Sequence, residues 1–156
     1  MNRLHDKTVL VVDGGHGLGR AAALAFAHEG ARVVVGEREV AAGEETVTAI
    51  VGAGGRAELV VLNPLLPASC ERAVQRAVEV FGTLDVLCSH VATAPARRQL
   101  LHETSEEEWD AVFAACVTAA VLPTRSALRV MRENGGGRAS ISEVSGTMMI
   151  TGYGNR

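Results

Sequence analysis

The segment Thr8–Val12 (TVLVV) runs without interruption into Asp13-Gly14-Gly15-His16-Gly17-Leu18-Gly19-Arg20, where an alanine-rich helical stretch opens. A β-branched run that is apolar at every position makes a strand that must be covered on both faces. The glycines allow positive φ and let backbone N–H groups stand clear of any Cβ. The helix behind them aims its unpaired first-turn amides and positive dipole end over the turn, which suits a phosphate or pyrophosphate. A chain that opens this way is committed to strand, turn and helix.

The same unit then recurs. Arg32–Val35 (RVVV) is a second apolar run, and Val40–Val51 reads as a helix stopped by Gly52, Gly54 and Gly55. Glu58–Leu62 (ELVVL) is a third run, followed by a helix with Cys70, Val74, Ala77, Val78 and Phe81 on one face, closed by Gly82. Leu84–Cys88 is the fourth run. Thr104 with Glu107, or Ser105 with Glu108, offers a capping box for a long helix. That helix carries Trp109, Val112, Phe113, Cys116, Val117, Ala120 and Val121 on one stripe, and Gly135–Gly137 ends it. A weak strand at about Ala139–Val144 follows. Continuous apolar strands separated by helices pair in parallel, and right-handed crossovers then give an α/β, Rossmann-like, doubly wound parallel sheet of about five strands. Residues 1–156 read as a single domain without a repeat or linker.

Composition excludes several other classes. Apolar residues at 47% and charged residues at 21% are the balance of a folded chain. A net charge of −3 leaves no basic footprint for nucleic acid, and Trp109, Tyr153, Phe26, Phe81 and Phe113 are too few to stack bases. No apolar run approaches the ~20 residues of a membrane span, so no membrane partner is expected. Residues 1–7 lack an apolar signal core, which predicts a cytoplasmic protein with Cys70, Cys88 and Cys116 as reduced thiols.

The second strand ends at Gly36-Glu37. An acidic group there meets the ribose 2′-hydroxyl of a dinucleotide and repels a 2′-phosphate, so NAD is expected over NADP. Arg38 follows at once and could serve that phosphate instead.

At these residues the chain resembles the short-chain dehydrogenase/reductase family. The family's opening T-G-x-x-x-G-x-G falls on Val12–Gly19. Further matches are Leu84-Asp85-Val86-Leu87, the helix start Thr104–Trp109, and Val144-Ser145-Gly146. The resemblance spans nearly the whole chain. It implies a Rossmann-like fold, NAD(P) binding, hydride transfer to or from an alcohol or ketone, and assembly into dimers or tetramers. By this match Gly14, Gly15, Gly17, Leu18, Gly19, Glu37, Arg38 and Asn63 are the candidate dinucleotide-binding residues, Asn63 standing where the family has an adenine-contacting Asp.

The chain departs from the family where chemistry is done. The first family glycine falls on Asp13, whose charge would oppose a pyrophosphate unless the turn shifts by one residue onto Gly14. The N-N-A-G run becomes Ser89-His90-Val91-Ala92, bulkier beside the cofactor backbone. The family's helix Asn falls on Cys116, its catalytic Ser on Glu143 and its Tyr on Arg156, with the Lys four positions further on beyond the sequence. Tyr153 lacks the x-x-x-Lys context and reads as a loop residue. No catalytic residue is therefore assigned, because nothing remains to protonate or stabilise a developing alkoxide.

The reading that follows is a dinucleotide-binding relative, truncated before the Y-x-x-x-K motif, that does not turn over alone. The alternatives are a non-catalytic assembly partner of an intact relative, or an oxidoreductase whose C-terminal half is supplied elsewhere. His90, Cys116 and Glu143 are the residue types of a Cys–His nucleophile or a zinc site. Nothing in their spacing specifies either, and no metal is expected. Without the family's two further strands, the strand at Ala139–Val144 is expected to be a bare sheet edge and the long helix's stripe to be partly exposed. Both favour a homo-oligomer or association with a related chain.

Overall fold

The computed structural model describes residues 3–91, 105–143 and 146–148. In chain order these form β1 (Thr8–Val12), α1 (Gly17–His28), β2 (Arg32–Glu37), α2 (Val40–Gly52), β3 (Arg56–Val61), α3 (Pro67–Phe81), β4 (Val86–Val91), α4 (Glu106–Glu133), β5 (Arg138–Glu143) and β6 (Gly146–Met148). The sheet order is β3-β2-β1-β4-β5-β6. The first five are parallel, as the apolar runs predict.

β6 was not expected. It pairs antiparallel with β5, setting Ile141 opposite Met148, Ser142 opposite Thr147 and Glu143 opposite Gly146. The expected bare edge at Ala139–Val144 is thus corrected: β5 is covered over Ile141–Glu143.

Alternation along the buried strands builds two core layers. Leu10, Val12, Val34 and Leu87 face α3 and α4, packing with Cys70, Val74, Ala127 and Met131. Val9, Val11, Val33 and Val35 face the other side with Ala23 of α1 and Ile50 of α2.

β4 starts later than the apolar run because Asp85 is used as a clamp. Its carboxylate accepts the Thr8 N–H at 2.9 Å and the Lys7 Nζ at 3.2 Å. Its own N–H donates to the Thr8 carbonyl at 3.0 Å, and its carbonyl accepts from Arg138 N–H at 2.8 Å. The N-terminal ends of β1, β4 and β5 therefore meet at one residue.

Ser105 starts α4 with the capping box read from the sequence: its hydroxyl accepts from Glu108 N–H, and its own N–H donates to the Glu108 carboxylate. The helix continues through Pro123, and the Thr124 hydroxyl donates to the Ala120 carbonyl at 2.7 Å. Its buried face is Ala119, Ala120, Pro123, Thr124, Ala127 and Met131. The stripe of Trp109, Phe113, Val117 and Val121 is exposed, Trp109 by 55% and Phe113 by 58%. The expectation that no apolar stretch is long enough to span a membrane does not hold for α4. By length and composition α4 is apolar enough to cross a membrane, because its central stretch between Asp110 and Arg125 carries no charge. Its second half packs into the α3 side of the sheet as a core helix does.

Candidate functional site

The glycine turn sits at the C-terminal end of β1, where ligands gather in sheets of this kind. Asp13 has φ 55°, a left-handed conformation that Asp tolerates better than most residues. Gly14 is not among the residues of positive φ, and its N–H donates to the Gly36 carbonyl at 3.1 Å. The turn has therefore not slipped onto Gly14. Of the two, Asp13 is the residue that takes the left-handed φ.

Gly19 is required by close approach, since a Cβ there would run into the Asp13 carbonyl oxygen. α1 thus starts hard against the turn. His16 is its N-cap but offers no side-chain bond, and the first turn carries no acidic residue. The amides of Gly17, Leu18 and Gly19 consequently have no intrahelical acceptor and face the space over the turn. Gly17 has φ 47° with open space around it.

Glu37 is 5% exposed at the end of β2. Its Oε2 accepts the Gly15 N–H at 3.0 Å, and its Oε1 accepts from Arg38 N–H at 2.7 Å and Glu39 N–H at 3.2 Å. A buried carboxylate survives only with such partners. A Cβ on Gly15 would lie 2.7 Å from Glu37 Oε2, so this glycine makes room for the acid. Three of the roughly four lone-pair sites of the carboxylate are filled, which leaves one on Oε2 for a hydroxyl. Arg38 is exposed, and among the described residues it makes no ion pair. On the rim, His16 Nε2 lies 3.1 Å from Glu39 Oε2 and joins the glycine turn to the β2–α2 loop.

Asn63 follows β3. Its Oδ1 accepts the Leu65 N–H at 3.0 Å, and its own N–H donates to Ser69 Oγ at 3.0 Å. The first bond fixes which amide atom is oxygen, so the side chain presents its NH2 outward as a donor where the family's Asp would accept.

At the C-terminal end of β4, Ser89 Oγ and His90 Nδ1 are buried without a partner among the described residues. Ser89 lies opposite Val12, His90 opposite Ser142, and Val91 opposite Glu143. Ala92, Tyr153 and Arg156 lie outside the described residues, as does the side chain of Glu143. Cys116 is half-buried on α4. No group of three metal-ligating side chains occurs among the described residues. Burial pushes the Cys70 thiol up to about 11 and raises that of Cys88 as well.

The glycines, the acid at the end of β2 and Asn63 are thus gathered along one end of the parallel strands, in a Rossmann-type arrangement that fits a dinucleotide. What sequence reasoning missed is how the acid is used: its bond to Gly15 depends on a rotamer. The Asx turn at Asn63 was signalled by Asn63-Pro64.

The short chain dehydrogenase family matches residues 7–154. The chain belongs to this family, whose fold binds NAD(P). It is 34% identical over 131 residues to an uncharacterized oxidoreductase of Thermotoga maritima, covering 84% of this chain and 51% of that one. It is 36% identical over 149 residues to an uncharacterized oxidoreductase of Mycobacterium tuberculosis, covering 95% and 55%. A crystal structure of a putative short-chain dehydrogenase/reductase from Burkholderia xenovorans superposes with a TM-score of 0.82 at 32% identity, covering 90% of this chain and 57% of that one. The chain spans about half the length of the curated relatives it matches.

Proposed function

We propose that this chain binds NAD(H) in preference to NADP(H) and does not by itself catalyse hydride transfer. The observation that carries the preference is the buried Glu37 carboxylate. It faces the turn with one lone pair left for a ribose hydroxyl, and a 2′-phosphate set there would meet a fixed negative charge. The amides of Gly17, Leu18 and Gly19 would hold the pyrophosphate, with Gly14 and Gly15 keeping side chains out of its path. The Asn63 NH2 would donate to the adenine. Bound there, the nicotinamide would supply or accept the hydride.

The residues at the family's catalytic positions argue against turnover. Cys116 stands for Asn and Glu143 for Ser, so the family's amide and hydroxyl are missing from both positions. Arg156 at the Tyr position keeps its proton at any working pH. The second reading is an oxidoreductase completed by another chain, favoured by relatives that carry the name oxidoreductase. Residues 1–156 are read as one cytoplasmic domain that self-associates or joins a related chain through the exposed stripe of α4. Nucleic acid and membrane are not among its partners.

Fluorescence titration with NADH and NADPH tests the preference. Saturable NADH binding with weaker NADPH binding supports it, and equal affinities refute it. An assay of alcohol and ketone substrates on the bound protein, expected to show no turnover, tests the second claim.

A further inference from the structure

β3 is the outer strand of the sheet on the side away from β6. In its ladder with β2, the Leu62 N–H reaches the Glu37 carbonyl at 3.0 Å. Because backbone groups alternate in direction along a parallel pair, Ala57, Leu59 and Val61 turn their N–H and C=O groups outward. Leu59 and Val61 open on a groove of about 780 Å³ between the β3 edge and α3, with Ser69, Arg72 and Arg76 on its helical wall and with Arg38 and Asn63, also candidates for the dinucleotide site, in its lining.

The groove carries two opposing features. Val61 and Leu66 leave 57% and 53% of their surface in water. Around them stand three guanidinium groups, of Arg38, Arg72 and Arg76, against the single lining carboxylate of Glu79. Arg76 is held by Glu58 and Glu79. Arg38 and Arg72 make no ion pair among the described residues. Three guanidinium groups against the carboxylates of Glu58 and Glu79 leave the edge with a small positive excess, carried by Arg38 and Arg72, in a chain of net charge −3.

We propose that this edge is a docking site for an extended acidic segment of a partner protein, which adds a strand to the sheet beside β3. The spacing fits. Arg72 and Arg76 are one helical turn apart, about 6 Å along α3, and alternate side chains of a strand recur at about 6.6 Å. Carboxylates at every second position of the incoming strand would meet Arg72 and Arg76, with Arg38 at the C-terminal end of the groove. Its backbone would satisfy the outward groups of Leu59 and Val61, and its intervening apolar residues would cover Val61. This is strand addition with charge as the selector. A polyphosphate would use the arginines and leave the edge amides and the apolar surface unused.

Fluorescence anisotropy with a labelled peptide of alternating Glu and Val, on the order of seven residues long, tests the site. The expected result is saturable binding that weakens about tenfold in Arg72→Glu and less in Arg72→Gln, and that is lost for a Lys-for-Glu peptide. A peptide N-methylated at the amides facing β3 should also fail to bind. Both variants change an exposed side chain and should melt like the parent and keep its NADH affinity. Equal binding of the N-methylated peptide would overturn strand addition. So would no binding at millimolar peptide, or tripolyphosphate occupying the groove where the peptide does not.

Discussion

Glu37 Oε2 and the main-chain N–H of Gly15 lie 3.0 Å apart in a buried contact that ties the end of β2 to the glycine turn. The acid therefore shapes the turn besides standing beside the ribose position. Among the described residues it makes no ion pair, and its carboxylate is held by three backbone donors, those of Gly15, Arg38 and Glu39.

Glu37→Ala should accordingly destabilise the fold even without ligand. Orphaning the buried Gly15 donor and loosening the two beside it should cost about 2–4 kcal/mol. Urea unfolding would read the loss. The control Glu39→Ala, at an exposed position, should stay within about 0.5 kcal/mol.

Asp13→Gly should tighten NADH binding. Asp13 already holds a left-handed φ that glycine adopts freely, so the substitution leaves the path of the turn intact and removes a carboxylate beside the proposed pyrophosphate position. Like charges about 4 Å apart cost ~1 kcal/mol in bulk-like water and ~4 kcal/mol at an effective dielectric of 20. A gain of at least several-fold in affinity is expected by titration. Asp13→Val should instead lower the melting temperature, because a β-branched residue resists φ 55°.

The Cys70 thiol gives a pH signature. Burial raises it to about 11, while its Sγ–H points to the Pro64 carbonyl. The unfolded chain ionises this thiol first, so its contribution to stability is complete below the ordinary thiol range. That contribution is lost as pH rises toward about 11. Denaturant midpoints should fall across that window in the parent and less in Cys70→Ala. At neutral pH a thiol reagent should label Cys70 only after unfolding.

Phe113→Glu should shift any self-assembly toward the monomer. Phe113 and Trp109 lie one turn apart on α4 and both are more than half exposed. Sedimentation over a concentration series would show the change, with the melting temperature unaffected because the residue is outside the core.

Most of the sheet is readable from residues because β1, β2 and β4 are apolar on both faces, a pattern that surface loops do not carry. β6 is not, since Gly146-Thr147-Met148 is three residues with no apolar run. The long uncharged stretch of α4 was underestimated because Pro123 and Thr124 interrupt its apolar pattern without interrupting the helix. In the site, the glycines announce the turn, but Gly14 beside Asp13 leaves open which of the two takes the left-handed φ, and in the structure it is Asp13. The acid of β2 was found by position. Its bond to Gly15 was not, because a side chain three bonds long can point several ways and sequence does not choose among them.

Asp85 divides the molecule into ends that respond to different pressures. It gathers Thr8, Lys7 and Arg138 at the ends of the strands remote from the glycine turn. Amides there should exchange with solvent only when the whole sheet opens, whatever ligand is present. Buried polar atoms without a partner among the described residues stand at both ends, Thr8 Oγ1 and Arg32 Nε near Asp85, and Ser89 Oγ and His90 Nδ1 at the end bearing the glycine turn. What sets the two ends apart is the Asp85 clamp, so sequence drift around Asp85 would be filtered by folding and drift around the glycine turn by occupancy.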